Sequence, residues 1–292
     1  MMKVQKALRN LKKGLAVGLF ACLVFTGSHA LAQKDHQYFI YDVYAGGIHA
    51  VQAELTIDYT GANRYALEMN AHTRGFLGKL APWSGKFESA GWVMKDDELR
   101  PQLHRSTSTW RDETEVKSYN YTKDGGFQNL MIKEHDKPEH EKEVPDEVTR
   151  NTTDAFTAAL MVMEAVHNGG SCEGRSEVFD GKRRFAQIFE EQERVDLSPS
   201  RYNVFGGNAV KCTVEIEPIS GEWSSKPRGW LSIQEQGRER GTMPTVWLGS
   251  LSADGPAVPV KILVKTAYGS LFMHLSEYRD GDKVIVSEKR GG

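Results

Sequence analysis

Alternation of apolar and polar side chains restricts what this chain can fold into more than any other feature. Between Val51 and Tyr59, every second residue is apolar and the residues between are polar. Successive side chains of a β-strand point to opposite faces, so this spacing predicts a strand with one buried face. Segments rich in Val, Ile, Phe, Tyr and Thr recur along the chain with turn sequences between them. The pattern predicts antiparallel hairpins over most of the length.

Glycine-containing turns separate these predicted strands. Gly46-Gly47 precedes the strand that begins near Val51, and it indicates either a hairpin turn or a bulge in one longer strand. Further turns are predicted at Lys123-Asp124-Gly125-Gly126, Asp180-Gly181, Gly206-Gly207-Asn208, Asp254-Gly255-Pro256, Tyr268-Gly269-Ser270 and Asp280-Gly281-Asp282. The strands between them share no common motif, so the fold is predicted to be one antiparallel meander rather than a repeat array.

One segment has helical spacing instead. Apolar residues near residues 153–167 recur every three or four positions, namely Phe156, Ala159, Leu160, Met163 and Val166. Thr152, Thr153 or Asp154 can cap the start and Gly169-Gly170 can end it, which predicts one principal α-helix. Its Met and Phe stripe is typical of a core face, but the same stripe is compatible with the lining of a ligand cavity.

The first 32 residues are typical of a secretory signal peptide. They carry five Lys/Arg and no acidic residue, then an apolar run, then the Ala30-Leu31-Ala32 pattern that a signal peptidase cleaves. We expect export to the periplasm with cleavage near Ala32. Leu19-Phe20-Ala21-Cys22 also resembles a lipobox, so lipidation at Cys22 is the alternative. The apolar run is too short for a membrane span, and none is expected in the mature chain.

The mature chain is acidic and long enough for a sizeable core. Cleavage leaves 260 of the 292 residues, and removal of five of the 37 Lys/Arg leaves 32 against 39 acidic side chains, a net charge of −7. Nucleic acid is therefore not an expected partner. A β-rich chain of this size forms one domain in many cases, so residues 33–292 are predicted to be a single periplasmic domain.

Two of the three cysteines, Cys172 and Cys212, remain in the mature chain. An even number of cysteines in an oxidising compartment predicts a disulfide between them. Two buried thiols are the alternative. Metal binding is disfavoured because neither cysteine belongs to a CxxC or lies near a histidine at ligand spacing.

Residue patterns typical of catalysis or of cofactor binding are weak. His135, Asp136, Glu139 and His140 could bind a metal, but the two histidines do not share a helix face and Pro138 lies between them, so a solvated charged loop between strands is favoured. The chain contains no HExxH, GxSxG or Walker-type motif, and Ser171-Cys172 follows a helix where a nucleophile elbow precedes one. We expect no catalytic residue, metal or cofactor.

Aromatic and basic residues each allow two interpretations. The six tryptophans could line an apolar cleft or could anchor the core and rim of a curved sheet; they are Trp83, Trp92, Trp110, Trp223, Trp230 and Trp247. Lys182-Arg183-Arg184 follows a predicted turn, so it is either an exposed hairpin arm or a site for anionic lipid headgroups.

Several segments taken in order resemble an exported proteobacterial family, DUF3108. They include YDVYAGGIHAVQAELTI, AHTRGFLGKLAPWSGKFESAGWV, TDAFTAALMVMEAV, VFDGKRRFAQI and VPVKILVKTAYGSLFMHLSEY. The resemblance spans most of residues 38–280 and implies a β-rich periplasmic protein without assigned catalytic residues. Its architecture also resembles that of envelope-integrity proteins in which a sheet curls into an open barrel or spiral around a helix. The expected fold is therefore mainly β, with the meander curled in this way and one principal helix.

Two functions are compatible with these observations. The first is a non-enzymatic periplasmic protein that supports the cell envelope by binding a lipid, a lipoprotein or another envelope partner on a curved sheet. The second is a secreted hydrolase of an envelope polymer, with acids among Asp96, Asp97, Glu98, Glu190 and Glu191. The first is favoured, because adjacent carboxylates on a strand point to opposite faces and make a poor acid–base pair.

Overall fold

The computed structural model describes residues 37–59, 63–95, 97–224, 226, 230–253, 255–266 and 269–291, which belong to one compact unit. The predicted signal peptide, with Cys22 and Ala32, lies outside these residues. Asp96, Asp254 and Tyr268 lie outside them as well. No helix among the described residues is both long and apolar enough to cross a membrane.

Fifteen strands dominate the described chain. They are β1 Gln37–Ala45, β2 Ile48–Asp58, β3 Arg64–Thr73, β4 Trp83–Val93, β5 Leu99–Trp110, β6 Glu113–Tyr121, β7 Phe127–Lys133, β8 His140–Lys142, β9 Gly174–Phe179, β10 Arg183–Leu197, β11 Gly207–Gly221, β12 Thr245–Gly249, β13 Val258–Thr266, β14 Gly269–Asp280 and β15 Lys283–Val286. The helices are α1 Gly75–Leu80, α2 Asp146–Thr149, α3 Ala155–His167, α4 Trp230–Glu239 and α5 Glu288–Gly291. The prediction of a mainly β fold is confirmed.

All the strands belong to one antiparallel sheet that is built from two meanders. The order is β8-β7-β6-β5-β4-β3-β2-β1-β14-β13-β12-β11-β10-β9, and β15 pairs with β14. The two meanders join where β1 pairs with β14, for example Phe39 with Tyr278. The edge strands β8 and β9 do not pair with each other, so the sheet is open, as expected.

The β1–β2 connection is a two-residue hairpin turn, which resolves the choice between turn and bulge. Gly46 and Gly47 have φ values of 56° and 86°. Both therefore lie in the left-handed region that a tight hairpin turn requires and that glycine adopts without a steric penalty.

The turn predicted at Gly206-Gly207-Asn208 is wrong in position. Gly207 is the first residue of β11, and the chain reverses within residues 198–206. The backbones of Ser200 and Asn203 hydrogen bond to each other, with N to O distances of 2.9 and 3.1 Å. The side chain of Asn203 fixes this loop, because it accepts from Phe205 N and donates to Val260 O. A side-chain hydrogen bond of this kind cannot be recognised from the positions of glycines in the sequence.

Helix α3 contacts strands of both meanders. It follows β8 and precedes β9 in the chain, and it packs against β5 on one side and β9, β10 and β12 on the other. Leu160 is fully buried, and Met163 is 5% exposed. The predicted helix is thus confirmed, with its inward face in the main core cluster.

The buried carboxylate of Asp154 caps the start of α3 and ties it to the first meander. It accepts hydrogen bonds from Phe156 N at 2.9 Å and Thr157 N at 3.0 Å. It also accepts from the hydroxyls of Thr157, at 2.6 Å, and of Ser89 on β4, at 3.0 Å. Asp154 is 1% exposed. Four donors thus compensate a carboxylate removed from water, and the Ser89 hydroxyl lies 3.0 Å from both carboxylate oxygens.

Cys172 ties the other end of α3 to the second meander. Gly169, at φ 82°, ends the helix, and the next turn brings Cys172 beside Cys212 on β11. The two cysteines are joined by a disulfide, with a Cα–Cα distance of 6.4 Å. Both residues are fully buried. The helix is therefore held to the sheet at both of its ends.

The ten-residue helix α4 was not predicted. Its inward face carries Trp230, Gln234 and Gly237, which have helical spacing but include only one large apolar side chain. Gln234 is 2% exposed, and its amide donates to Ile216 O at 2.7 Å and accepts from Ile216 N at 2.9 Å. Gly237 allows the close approach of the Thr242–Met243 backbone. A polar anchor and a glycine contact therefore position this helix, and neither contributes to an apolar periodicity.

We predict that Asp154→Ala lowers the free energy of unfolding by about 2–4 kcal/mol. The change removes a helix cap and leaves buried hydroxyls of Ser89 and Thr157 without their acceptor. Asp112→Ala, at an exposed turn, is the control and should cost less than about 0.5 kcal/mol. Denaturant unfolding measures both values, and equal costs would contradict the role given to the Asp154 network.

We also predict that Cys172→Ser and Cys212→Ser each lower the free energy of unfolding by about 2–5 kcal/mol. The disulfide closes a loop with a sequence separation of 40, so its loss increases the freedom of the unfolded chain. The double variant should be no less stable than either single variant, because all three lack the same bond. Additive losses, or two titratable thiols in protein recovered from the periplasm, would be the opposite result.

Candidate functional site

An apolar cavity lies between α3, α4 and strands β10–β13. Its volume is about 210 Å³. Helix α3 contributes Ala159 and Met163 and α4 contributes Trp230, while the strands contribute side chains such as Phe189, Val246 and Ile262. Met163 therefore lines the cavity, which is one of the two interpretations of the Met and Phe stripe. Phe156 instead packs against the rings of Phe87 and His104.

Trp230 is one of the residues that line the cavity. Its indole Nε1 is buried and has no hydrogen-bond partner among the described residues. A buried N–H without an acceptor costs free energy, and buried tryptophans normally find one. The hydroxyl of Thr245, which also lines the cavity, is already committed to Met243 O at 2.8 Å. The indole N–H is therefore a donor without a partner among the described residues, in a side chain that lines an almost wholly apolar surface.

The position of Trp230 depends on how α4 is attached. Gln234, one helical turn further on, bonds both backbone groups of Ile216, beyond the last β11 residue that pairs with β12. Arg238 forms an ion pair with Glu215 on the same strand. These contacts fix α4 along β11, and they place the indole over the space next to α3.

The chemistry of the lining is that of binding rather than of proton transfer. Among the described residues that form it, none has a titratable side chain. Such a surface favours an apolar chain by removing it from water, and the indole N–H can orient an oxygen acceptor at the end of that chain.

The comparison with known families matches the same part of the chain. A family model described as a protein of unknown function (DUF3108) matches residues 40–276. The chain belongs to the DUF3108 family. No curated protein matches it. Among solved structures, it is similar to a beta-barrel-like protein of domain of unknown function DUF1849 from Brucella abortus, with 10% identity, 86% of this chain and 100% of that chain covered, and a TM-score of 0.48.

The metal candidates of this DUF3108 chain do not form a metal site. His135 lies 3.2 Å from Asp136 in an exposed connection, and His140 begins the edge strand β8. Within the described ranges, no group of three or more His, Cys, Asp or Glu side chains could hold an ion. These residues form the charged loop that was the second interpretation.

The candidate acids do not form a catalytic pair. Glu190 is exposed, whereas Glu191 accepts from Cys172 N at 3.3 Å and pairs with Arg194. Glu98 pairs with Arg100 at 2.7 Å in the region of the β4–β5 turn. Ser171 lies beside the disulfide, and its oxygen accepts from Glu173 N. Glu98 and Glu191 are thus engaged separately, each with an arginine.

The basic triplet is engaged by acids of the same fold. Arg183 pairs with Asp180, and its guanidinium also lies 4.7 Å from the centre of the Trp223 ring. Arg184 pairs with Glu177, and Lys182 lies 3.9 Å from Glu222. The triplet therefore stabilises the β9–β10 hairpin, with less charge available for lipid headgroups than the sequence suggests.

The tryptophans divide between the two roles considered for them. Trp230 lines the cavity, Trp247 is 8% exposed beneath Lys261, and Trp92 is covered by Arg64. Trp110 is 49% exposed at the end of β5. Sequence reasoning missed the cavity because it did not place Trp230 on a helix.

Proposed function

We propose that this DUF3108 protein is a non-enzymatic periplasmic protein that supports the cell envelope by binding the apolar chain of an envelope lipid or lipoprotein. The observation that carries the proposal is the apolar lining of this cavity, one of whose residues, Trp230, has an indole N–H without a partner among the described residues. An acyl chain ending in a carboxylate, ester or amide has both features that this cavity matches. The leader-like residues 1–32 support the periplasmic location.

The size of the cavity limits what it accepts. Ligand sites for drug-sized molecules have about 300–1,000 Å³, so 210 Å³ fits one short chain or the end of a longer one. If each methylene takes about 30 Å³, similar to the share of a water molecule in the liquid, roughly seven methylenes fill it. The hydrolase hypothesis receives less support, because Glu98 and Glu191 pair with arginines and the cavity lining contains no carboxylate among the described residues.

We predict that affinity for straight-chain fatty acids rises with length and then stops rising. Each methylene that enters the cavity contributes about 0.8 kcal/mol, and chains beyond roughly eight carbons should gain little more. Isothermal titration of delipidated protein with the series from hexanoate to dodecanoate measures these increments. A flat series, or no binding by any member, would contradict the proposal.

One variant at Trp230, tested with two kinds of ligand, separates its polar and apolar contributions. Trp230→Phe removes the N–H but keeps a ring, so we expect octanoate affinity to fall by about 1 kcal/mol. Octane-like ligands without an acceptor should lose much less. Trp110→Phe, at an exposed tryptophan, is the matched control and should leave both ligands unaffected. If Trp230→Phe lowers the affinities for octanoate and for the hydrocarbon equally, the indole N–H does not bind the acceptor group of the ligand.

A further inference from the structure

One end of the sheet exposes four large apolar side chains. Ile48 is 59% exposed, Phe76 66%, Leu80 58% and Trp110 49%. They belong to the β1–β2 hairpin, to α1 and to the end of β5. We call this set of four residues the α1 end. None of the four lines the cavity between α3 and α4.

Backbone contacts hold these residues on one surface. Arg74 N donates to Ala50 O at 2.8 Å, which joins the start of α1 to the strand that begins with Ile48. Arg111 N donates to Pro82 O at 2.9 Å, which joins the residue after Trp110 to the segment after Leu80. The connection from β3 to β4 is therefore tied to its neighbour on each side.

Helix α1 itself presents its apolar residues outward. It has six residues and none of them is buried. A helix this short is not stable alone, and a large apolar side chain left in water gains nothing from folding. Backbone hydrogen bonds hold α1 in place. The exposed side chains of Phe76 and Leu80 can therefore contact an apolar phase outside the protein.

Cations flank this apolar surface. Arg74, Lys79 and Arg111 are exposed around it. Residues 74–82, which include α1, contain Arg74 and Lys79 and no acid, whereas Glu113, Glu115 and Glu134 line the surface on the Trp110 side. Phe, Leu, Ile and Trp with a cationic rim are the composition of segments that lie in the interface of anionic bilayers.

We propose that the α1 end docks the protein on the surface of an anionic phospholipid bilayer. The four side chains enter the acyl boundary, and the three cations contact headgroup phosphates. A second copy of this chain is a poorer occupant, because a symmetric contact would bring the same cations of both copies together. This docking does not use the cavity. The experiments that test it are therefore independent of those that test binding of an apolar ligand in the cavity.

Vesicle flotation tests the docking. The full sequence is expressed with Cys22→Ser, so that no acyl anchor forms at that residue, and the purified protein is mixed with vesicles of phosphatidylethanolamine and phosphatidylglycerol. We expect flotation with these vesicles, weaker flotation with phosphatidylcholine alone, and a decrease as salt rises. The double variant Phe76→Ser/Leu80→Ser should lower the vesicle partition coefficient about tenfold or more.

The matched control removes two exposed apolar residues elsewhere. Val284 and Ile285 on β15 are 54% and 37% exposed, and Val284→Ser/Ile285→Ser should bind vesicles like the parent. Unchanged thermal unfolding of both double variants shows that neither acts through misfolding. No flotation of the parent, or equal losses in the two double variants, overturns the proposal. A parent dimer that Phe76→Ser/Leu80→Ser dissociates also overturns it, because the surface would then belong to a second copy.

Discussion

The buried carboxylate of Asp154 is the interaction on which the arrangement of the sheet depends. It lies where the chain passes from the edge strand β8 toward the other edge, β9, and it binds Ser89 on β4 as well as the first turn of α3. The two edges do not pair with each other, so the space between them must be filled by something other than strand hydrogen bonds. Asp154 fixes the start of α3, a helix that contacts β5 of the first meander and β9 of the second.

The disulfide fixes the other end of α3, and side chains pack across the gap between the two edges of the sheet. Cys172 fixes the end of α3 to β11 through Cys212. Across the gap, Tyr119 OH donates to Asp180 O at 2.9 Å, and the Phe127 ring packs on Phe179. The helix thus contacts both meanders, whose strands pair with each other through β1 and β14. A core held in this way leaves room beside α3 for α4.

The cavity follows from that arrangement. Because Gln234 attaches α4 to the backbone of β11, the helix cannot move inward to fill the space beside Met163. The indole N–H of Trp230, a residue that lines this space, has no acceptor among the described residues. A core designed only for stability would fill such a space or pair such a group. We therefore interpret the cavity as the ligand site of the function that we propose.

The sequence predicted those parts of the fold that depend on local patterns. Period-two alternation predicted the strand from Val51, and helical spacing predicted α3 to within two residues at its start. The pairing of β1 with β14 could not be derived, because residues more than 200 positions apart leave no local pattern.

Helix α4 and the cavity were missed for a related reason. The inward face of α4 consists of a tryptophan, a glutamine and a glycine, so it lacks the apolar periodicity that indicated α3. Phe76 and Leu80 illustrate the opposite case. They resemble core residues in the sequence, and only the structure shows that α1 buries none of its residues.

The central claim is that the space between α3 and α4 receives an apolar chain. A crystal structure of the protein soaked with a fatty acid brominated at its terminal carbon tests this directly, because anomalous scattering locates the bromine without ambiguity. We predict a bromine peak in contact with the walls formed by Met163 and Phe189, with the carboxylate end toward Trp230 Nε1. A bromine peak elsewhere, or a cavity that stays empty at saturating ligand, would contradict the account.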